Sequence, residues 1–313
     1  ETNPIRHRLV RQAAFGVAGS AISTQRGETR KSFEQVVETW ERKFGLDQPL
    51  WKQYLRYMGD TARLDFGFSV HNFPAKVSSI ILSAMPWTLA VVGLATIIAF
   101  ILGTLLGALM VWNSSSLILR ILGPPILALS AIPYYLLGLG LIFMLAFTWH
   151  IFPISGGYDF GKVPELNVAF IGQILHHAFL PALSIVLAQI GFWGLFMRGM
   201  MVTVQGEDYI SFAEAKGLLP RRVFVKYAIR NAILPQVTNL ALTLGLIITQ
   251  AIIVEVVFSY PGLGSVLYDS IRSLDYFVIY GVVFVIILSV ALATLLIDLL
   301  YPLVDPRIKY GAA

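Results

Sequence analysis

Charge is scarce in this chain, and cysteine is missing altogether. Asp, Glu, Lys and Arg make up 13% of the 313 residues, whereas about a quarter is usual in soluble domains. Without cysteine, the chain has no disulfide framework, no thiolate nucleophile and no cysteine-based metal site. Apolar residues are abundant instead, at 57% of the chain, and the mean hydropathy is +0.73. This composition predicts a protein that lies largely within a lipid bilayer.

Five long stretches carry no formal charge, and we interpret them as membrane spans. Each is close to the roughly 20 helical residues that cross the hydrocarbon core of a bilayer. Backbone in hydrocarbon must satisfy its own hydrogen bonds, so these spans are expected to be helices. The sequence therefore predicts an all-α membrane protein with spans at 87–111, 121–147, 179–197, 233–254 and 276–297.

The N-terminal residues predict a different arrangement. Arg6, Arg8 and Arg11 precede an apolar run of ten residues, 13–22. That run is too short to cross a bilayer, so we expect a weak or truncated first span within a basic segment, 1–25. Residues 26–86 are polar enough to form an outward-facing helical cap, and 87–313 then form the transmembrane domain.

Two helices are predicted in the cap. Ser32 and Gln35 have the spacing of a capping box, and Gly45 suits the end of that helix. A second helix is expected to begin around Gln48-Pro49, with Asp47 as its cap. Its apolar face is predicted to pack onto the membrane helices and consists of Trp51, Tyr54, Leu55 and Met58.

Basic residues predict the orientation of the chain in the membrane. Lysine and arginine are enriched in cytoplasmic loops, which also explains the net charge of +5 without nucleic acid. The opposite short loops hold only Lys162 and Arg272. The loop at 203–232 and the C-terminus are therefore expected in the cytoplasm, because that side carries Arg120, Arg198, Lys216, Arg221, Arg222, Lys226, Arg230, Arg307 and Lys309.

The 203–232 loop has the pattern of two short helices. Glu207 to Lys216 predicts the first, and Gly217 suits a left-handed stop. Pro220 suits the first turn of the second helix, which carries a basic stripe of Arg221, Arg222, Lys226 and Arg230. The small residues Ala213 and Ala215 would permit close approach by another surface. An ordinary cytoplasmic loop explains the arginines but neither the glycine nor the small residues.

Motifs in this loop and elsewhere resemble those of binding-protein-dependent ABC transporter permeases, and the dipeptide/oligopeptide (and nickel) branch in particular, as its first-permease (B-type) subunit. The broader family writes Glu-Ala-Ala, three residues and Gly in the loop. Here Ser211, Phe212 and Ala213 occupy the first three positions, so only the second alanine and Gly217 match. Further similar stretches are 44–50 with Tyr54, 64–69, the segment from Glu255 to Gly264, and Asp298-x-x-Tyr301 with Asp305-Pro306-Arg307.

The resemblance implies a type I ABC importer permease helix bundle in a bacterial or archaeal cytoplasmic (inner) membrane, with many passes and a cytoplasmic C-terminus. It implies a heterodimer with a second homologous permease, two ABC ATPase subunits and an extracytoplasmic substrate-binding protein. It also implies an outer gate near Glu255, Pro261, Gly262 and Gly264. The residues expected to couple to the ATPases are Tyr209, Ala213, Glu214, Ala215, Lys216, Gly217, Leu218, Arg221 and Arg222.

No catalytic residue, metal site or cofactor is expected in the chain itself. It has no G-x-x-x-x-G-K-[ST] phosphate loop, so ATP and Mg²⁺ are expected to bind the partner ATPases. Peptides are the expected substrates, with nickel chelates and oligosaccharides as alternatives. The alternative functions are an ion-coupled secondary transporter, which usually has an internal repeat, and an intramembrane enzyme. We see no repeat, and His176 and His177 lie at the edge of a span.

Overall fold

The computed structural model describes residues 48–304 apart from 114, 160, 163–166 and 246. The expected first span, the capping box at Ser32 and the motif at Asp305-Pro306-Arg307 lie outside the described residues. Within the described part the regular structure is helical, and one isolated antiparallel bridge links Phe68 with Lys76. The α-helices are α1 (Leu50–Ala62), α2 (Val77–Trp112), α3 (Leu117–Ala128), α4 (Tyr134–Leu141), α5 (Val168–Gln205), α6 (Asp208–Ala215), α7 (Pro220–Val223), α8 (Arg230–Gly245), α9 (Ile247–Val257), α10 (Leu263–Ser273) and α11 (Tyr276–Val304).

The chain divides into two compact units. Among the described residues, the first comprises 48–80 and 270–281, and the second comprises 81–269 and 282–304. Three short segments of other helical type extend the α-helices: a 3₁₀ turn at Leu129–Ala131 and π-helical turns at Ile142–Thr148 and Phe224–Ile229. The domain boundaries given by the sequence pattern remain a prediction.

In the first unit, a tight turn brings the segment after α1 back on itself. The Ser69 amide donates to the Ala75 carbonyl over 2.9 Å, and the Val77 amide donates to the Gly67 carbonyl over 3.0 Å. The fully buried Asp275 carboxylate accepts from the Ser69 hydroxyl. The segment 64–69, which carries one of the family motifs, is thus fixed by backbone pairing and by a buried acceptor.

Helix α1 begins at Leu50, next to the predicted start at Gln48-Pro49, and its N-cap is Pro49. The predicted cap, Asp47, lies outside the described residues. Trp51, Tyr54 and Leu55 on its apolar face are each 61% exposed, and Met58 is 49% exposed. The prediction that this face packs onto the membrane helices stays a prediction, because α1 and most of those helices belong to different units. The helical spacing correctly groups the four side chains on one face, but spacing does not specify what covers that face.

Two helices are long and apolar enough to cross a membrane, α2 and α5, and they contain the predicted spans 87–111 and 179–197. In the predicted span 121–147, two helical segments meet at an angle of 108°, so that it is one span stays a prediction. Residues 233–254 fall in α8 and α9, and 276–297 fall in α11. By length and composition the described residues thus hold two spans, or three if the bent pair is one span. The count of five stays a prediction.

The bend lies at Ile132-Pro133, for a steric reason. The ring of a proline disfavours the helical conformation in the residue before it, and Ile132 accordingly has φ −96° and ψ 123°. Proline also lacks an amide to donate to the preceding turn. Pro133 then serves as the N-cap of α4, and its carbonyl accepts from the amide of Leu136 over 2.9 Å.

Glycines allow α2 and α5 to cross with their backbones in close contact. A Cβ placed on Gly103 would lie 2.6 Å from the Ile190 carbonyl oxygen, and one on Gly107 would collide with the Gly194 carbonyl. Small residues that let backbones approach are typical of helix contacts in membranes. The G-x-x-x-G pattern of α2, Gly103 to Gly107, therefore serves contact within the chain.

Candidate coupling loop and outer turn

Helix α6 ends at a glycine that its backbone conformation requires. Gly217 has φ +72°, in the left-handed region where residues with a Cβ are strained. Its amide donates to the Glu214 carbonyl over 2.8 Å, and the Leu218 amide donates to the Ala213 carbonyl over 3.3 Å. This pair of hydrogen bonds is the Schellman motif of helix C-termini. The predicted glycine stop is confirmed, and so is the start of the next helix at Pro220.

One side of α6 belongs to the chain's own hydrophobic core. Ile210 and Ala213 are each only 3% exposed, and both pack in one cluster with the fully buried Val223. Met197 of α5 and Ala108 of α2 belong to the same cluster. The expectation that Ala213 offers a small surface to a partner is therefore wrong. Its size suits packing within the chain, because it faces the core rather than solvent.

The other side of α6 is exposed and partly aromatic. Phe212 is 63% exposed and Tyr209 is 37% exposed, while Leu219, just beyond the glycine, is 74% exposed. The Lys216 ammonium lies 4.5 Å from the centre of the Phe212 ring, a cation–π distance. Sequence reasoning missed Phe212 and Leu219, although positions 209, 212 and 216 recur at helical spacing.

The predicted basic stripe is also exposed. Arg221 and Arg222 lie in α7, Lys226 in the π-helical turn and Arg230 at the start of α8, and all four are open to solvent. Glu214 and Ala215 are exposed as well, whereas Leu218 is half-buried. The structure thus leaves eight of the nine predicted coupling residues at least partly accessible on one loop, the exception being Ala213.

In the second compact unit, the buried carboxylate of Glu255 also caps the N-terminus of helix α10. Glu255, 2% exposed, accepts from the Gly264 amide over 2.6 Å and from the Ser265 amide over 3.3 Å. The hydroxyl of Thr88 donates to Glu255 over 2.5 Å and accepts from the Leu263 amide over 2.9 Å. The first amides of a helix lack partners within it, and a negative charge there is favourable. Glu255 and Thr88 together satisfy the first three amides of α10.

The outer gate candidates surround this carboxylate. A Cβ on Gly262 or on Gly264 would collide with the Glu255 carboxyl group or with the backbone of Ile252. Glycine is needed at both positions for space, since neither has a positive φ. Pro261 lies against Gly157, where an added Cβ would be 2.7 Å from the proline ring. The structure therefore brings Glu255, Pro261, Gly262 and Gly264 together in one packed turn, which we call the outer turn (255–264).

Aromatic rings close the outer turn on one side. The rings of Trp87 and Tyr260 meet edge to face with their centres 5.6 Å apart. Burial raises the pKa of the Tyr260 hydroxyl, and the nearby Glu255 charge raises it further. The Gly156 amide donates to the Phe258 carbonyl over 2.9 Å, which fixes the loop before α5 to the same turn. These contacts make the turn a rigid element rather than a loose loop.

The two histidines of α5, His176 and His177, lie beside backbone carbonyls of the preceding loop. A ring nitrogen of His176 lies 3.0 Å from the Ile151 carbonyl oxygen, and His177 lies 3.1 Å from that of Gly156. The second nitrogen of His177 is 3.3 Å from Asp159, and this hydrogen bond lowers the pKa of the Asp159 carboxyl. Across the described chain, no three His, Asp or Glu residues are grouped so as to hold a metal ion. The side chain of Asp298 lies outside the description.

Long apolar helices joined by an exposed basic loop and a buried outer turn define an integral membrane protein of the all-α class. Residues 99–310 match the family described as the inner membrane component of binding-protein-dependent transport systems. The chain belongs to this family.

Relatives of the chain are named as peptide permeases. It is 35% identical over 279 residues to the oligopeptide transport system permease protein AppB of Bacillus subtilis, covering 88% of this chain and 85% of that protein. The probable D,D-dipeptide transport system permease protein DdpB of Escherichia coli is 32% identical, over 90% of this chain and 86% of its own length. The di/tripeptide transport system permease protein DppB of Pseudomonas aeruginosa is 30% identical, over 94% and 91%.

Proposed function

We propose that this chain is the permease subunit of an ATP-driven importer for peptides or similar small solutes, forming one half of the translocation path. The chain itself would catalyse no reaction. ATP and Mg²⁺ would bind two separate ATPase subunits, a second homologous permease would complete the path, and an external binding protein would deliver the substrate. Family membership and the peptide permeases among its relatives support this proposal.

The observation that carries the proposal is the two-sided build of α6. One side is anchored in the chain's own core through Ile210 and Ala213. The opposite side exposes Tyr209, Phe212 and Leu219, and an exposed aromatic and aliphatic group beside basic residues suits a protein partner. A helix so anchored transmits a push or pull on its outer side directly to α5 and α2. Such a lever can bias a two-state equilibrium between inward- and outward-facing forms.

The proposed topology has five spans, with α8–α9 and α11 crossing the membrane in addition to the three candidates of the described residues. The exposed cations of the α6–α8 region and the positive-inside tendency support a cytoplasmic position for that loop and the C-terminus. The outer turn then faces the other side, where a binding protein would dock. Cysteine-scanning with an impermeant thiol reagent on intact cells would test this, since the chain has no native cysteine to remove.

Peptides are the proposed substrates because the relatives reported above are named for them. Nickel chelates and oligosaccharides are the alternatives within the same mechanism.

The test is purification from native membranes in mild detergent, followed by transport assays. A second permease and one or two Walker-motif ATPases should co-purify, and reconstituted vesicles should take up peptide with ATP and without an ion gradient. Gly217→Val should abolish uptake and ATPase association while membrane insertion stays intact, whereas Gly217→Asn, which tolerates the left-handed conformation, should retain both. Uptake that needs an ion gradient and no ATPase would instead indicate a secondary transporter.

A further inference from the structure

Helix α8 carries three uncharged polar side chains on one face. Gln236, Asn239 and Thr243 follow each other at spacings of three and four residues, which align on a helix. The Gln236 amide nitrogen donates to the Trp193 carbonyl oxygen of α5 over 3.0 Å, so this face is turned toward α5. The other face bears Leu234 and Leu242, 37% and 46% exposed, and suits lipid.

Further polar groups from three other helices contact one another. Gln189 of α5 donates to the side-chain oxygen of Gln250 of α9 over 3.4 Å. The hydroxyl of Tyr134, the first residue of α4 after the bend, donates to the Gln250 backbone carbonyl over 3.1 Å. We call Tyr134, Gln189, Gln236, Asn239, Thr243 and Gln250 the amide track.

Several polar atoms along the track lack a partner in the described chain. The side-chain oxygens of Gln189 and Gln236 and the indole nitrogen of Trp193 are buried without a hydrogen bond, and Gln236 and Trp193 are 0% exposed. An unpaired amide is unfavourable in hydrocarbon. Gln236 and Trp193 have no exposed surface, so a solute would meet the track through its half-buried members.

The accessible members of the track point the same way. Gln189, Asn239, Thr243 and Gln250 are half-buried, so each keeps some open surface. Lipid tails offer no hydrogen bonds to these groups, whereas a polar solute does. Because lipid cannot hydrogen-bond them, polar side chains within membrane segments often mark a substrate pathway.

We propose that the amide track binds the backbone amide groups of a peptide as it passes through the membrane. This inference rests on the proposed function and names the surface on which that function operates. A carboxamide both donates and accepts a hydrogen bond, as a peptide bond does. A side-chain carboxamide can therefore pair in the same way with each successive peptide bond of the substrate. The six residues carry no formal charge. The track therefore accepts peptides whatever the charge of their side chains, and no ion pair holds the peptide back.

The native absence of cysteine provides the test. Asn239→Cys and Gln250→Cys are made one at a time, and Thr294→Cys is the control, on an exposed position of α11 whose hydroxyl donates to the Val290 carbonyl over 2.9 Å. The complete transporter is reconstituted in vesicles and treated with a charged, impermeant methanethiosulfonate reagent during turnover. We expect labelling at 239 and 250 that saturating trialanine slows about tenfold, the factor for roughly 1.4 kcal/mol, and no such protection at 294.

A second variant pair separates substrate binding from helix packing. Asn239→Leu should lower the trialanine uptake rate about tenfold, because the leucine side chain can no longer hydrogen-bond a peptide. Asn239→Gln should restore part of that rate, while the yield and thermal stability of the transporter stay unchanged in both variants. In the matched control, Thr294→Val should leave uptake unchanged.

The outcomes distinguish the two proposals. If wild-type vesicles take up no trialanine with ATP, the proposed peptide import fails, and the track fails with it. If wild-type uptake is normal but labelling at 239 and 250 is absent or unaffected by trialanine, the track alone is overturned. Loss of stability in Asn239→Leu in parallel with uptake would also overturn it, because the residue would then act only in helix packing.

Discussion

The loop around α6 and the outer turn both depend on glycine, but for opposite physical reasons. Gly217 has open space around its Cα and a left-handed backbone, so only its conformation excludes a side chain. Gly262 and Gly264 have ordinary backbone angles and are crowded by the buried Glu255. One region is therefore specified by backbone shape with its outer face left open, and the other by packing around a carboxylate. The first suits contact with a partner and the second suits holding a fixed geometry.

The sharpest test of this comparison is Glu255→Ala. The variant leaves Thr88 and two amides of α10 buried without their acceptor, and each such group costs about 1–3 kcal/mol. We expect the free energy of unfolding to fall by at least ~3 kcal/mol in chemical denaturation of the purified protein in detergent. Glu214→Ala on the exposed side of α6 is the control and should change it by less than ~0.5 kcal/mol. Equal effects of the two variants would contradict the capping role.

The two sides of α6 should respond differently to truncation. Ile210→Ala should lower the free energy of unfolding by about 2–4 kcal/mol, because it leaves a cavity in the core. Phe212→Ala should barely change stability, since its side chain is 63% exposed, but should weaken ATPase association at least tenfold in pull-down titrations. An ATPase that binds the Phe212 variant normally would argue against this side as the docking surface.

The glycines offer a smaller but more direct comparison. Gly264→Ala should cost about 1–3 kcal/mol through overpacking, whereas Gly217→Ala should cost about 1 kcal/mol through its left-handed backbone. Gly217→Asn should recover part of the second loss, and Gly264→Asn should worsen the first. Denaturation of the four variants in parallel checks this. Rescue by asparagine at 264 would mean that conformation, not space, selects glycine there.

The smallest stability effect is expected for charge reversal at Arg221 and Arg222. Both are exposed, so their change to Glu should alter the free energy of unfolding by less than ~0.5 kcal/mol. ATPase association should weaken instead, and more so at low salt, because exposed charges are screened over about 10 Å at 0.1 M. Co-purification of the ATPases at wild-type level and at all salt concentrations would remove these residues from the docking surface.

The sequence predicted local features better than the side chains' surroundings. The stop at Gly217, the helix start at Pro220 and a helix start close to Pro49 follow from backbone chemistry within a few residues, and the structure has all three. Ala213 was expected to face a partner and instead faces the core, because a small residue suits both. For α1, periodicity likewise identified a face without identifying its neighbour.

The bend after α3 illustrates the same limit in the membrane. A charge-free run of 27 residues, 121–147, reads as one span, and Pro133 alone does not reveal whether it produces a mild kink or a turn of 108°. The Glu255 cap was equally hidden, because its partner Thr88 lies 167 positions away. Contacts at such separation depend on how the helices pack, which no local pattern records.

The crossing of α2 and α5 has a mechanical consequence. The backbone of Gly103 and Gly107 contacts that of residues 190–194 directly. At this point no side chains lie between the two helices. Neither helix can roll or slide past the other without backbone collision. We therefore expect the two helices to move together, as one rigid pair, in any conformational change of this chain.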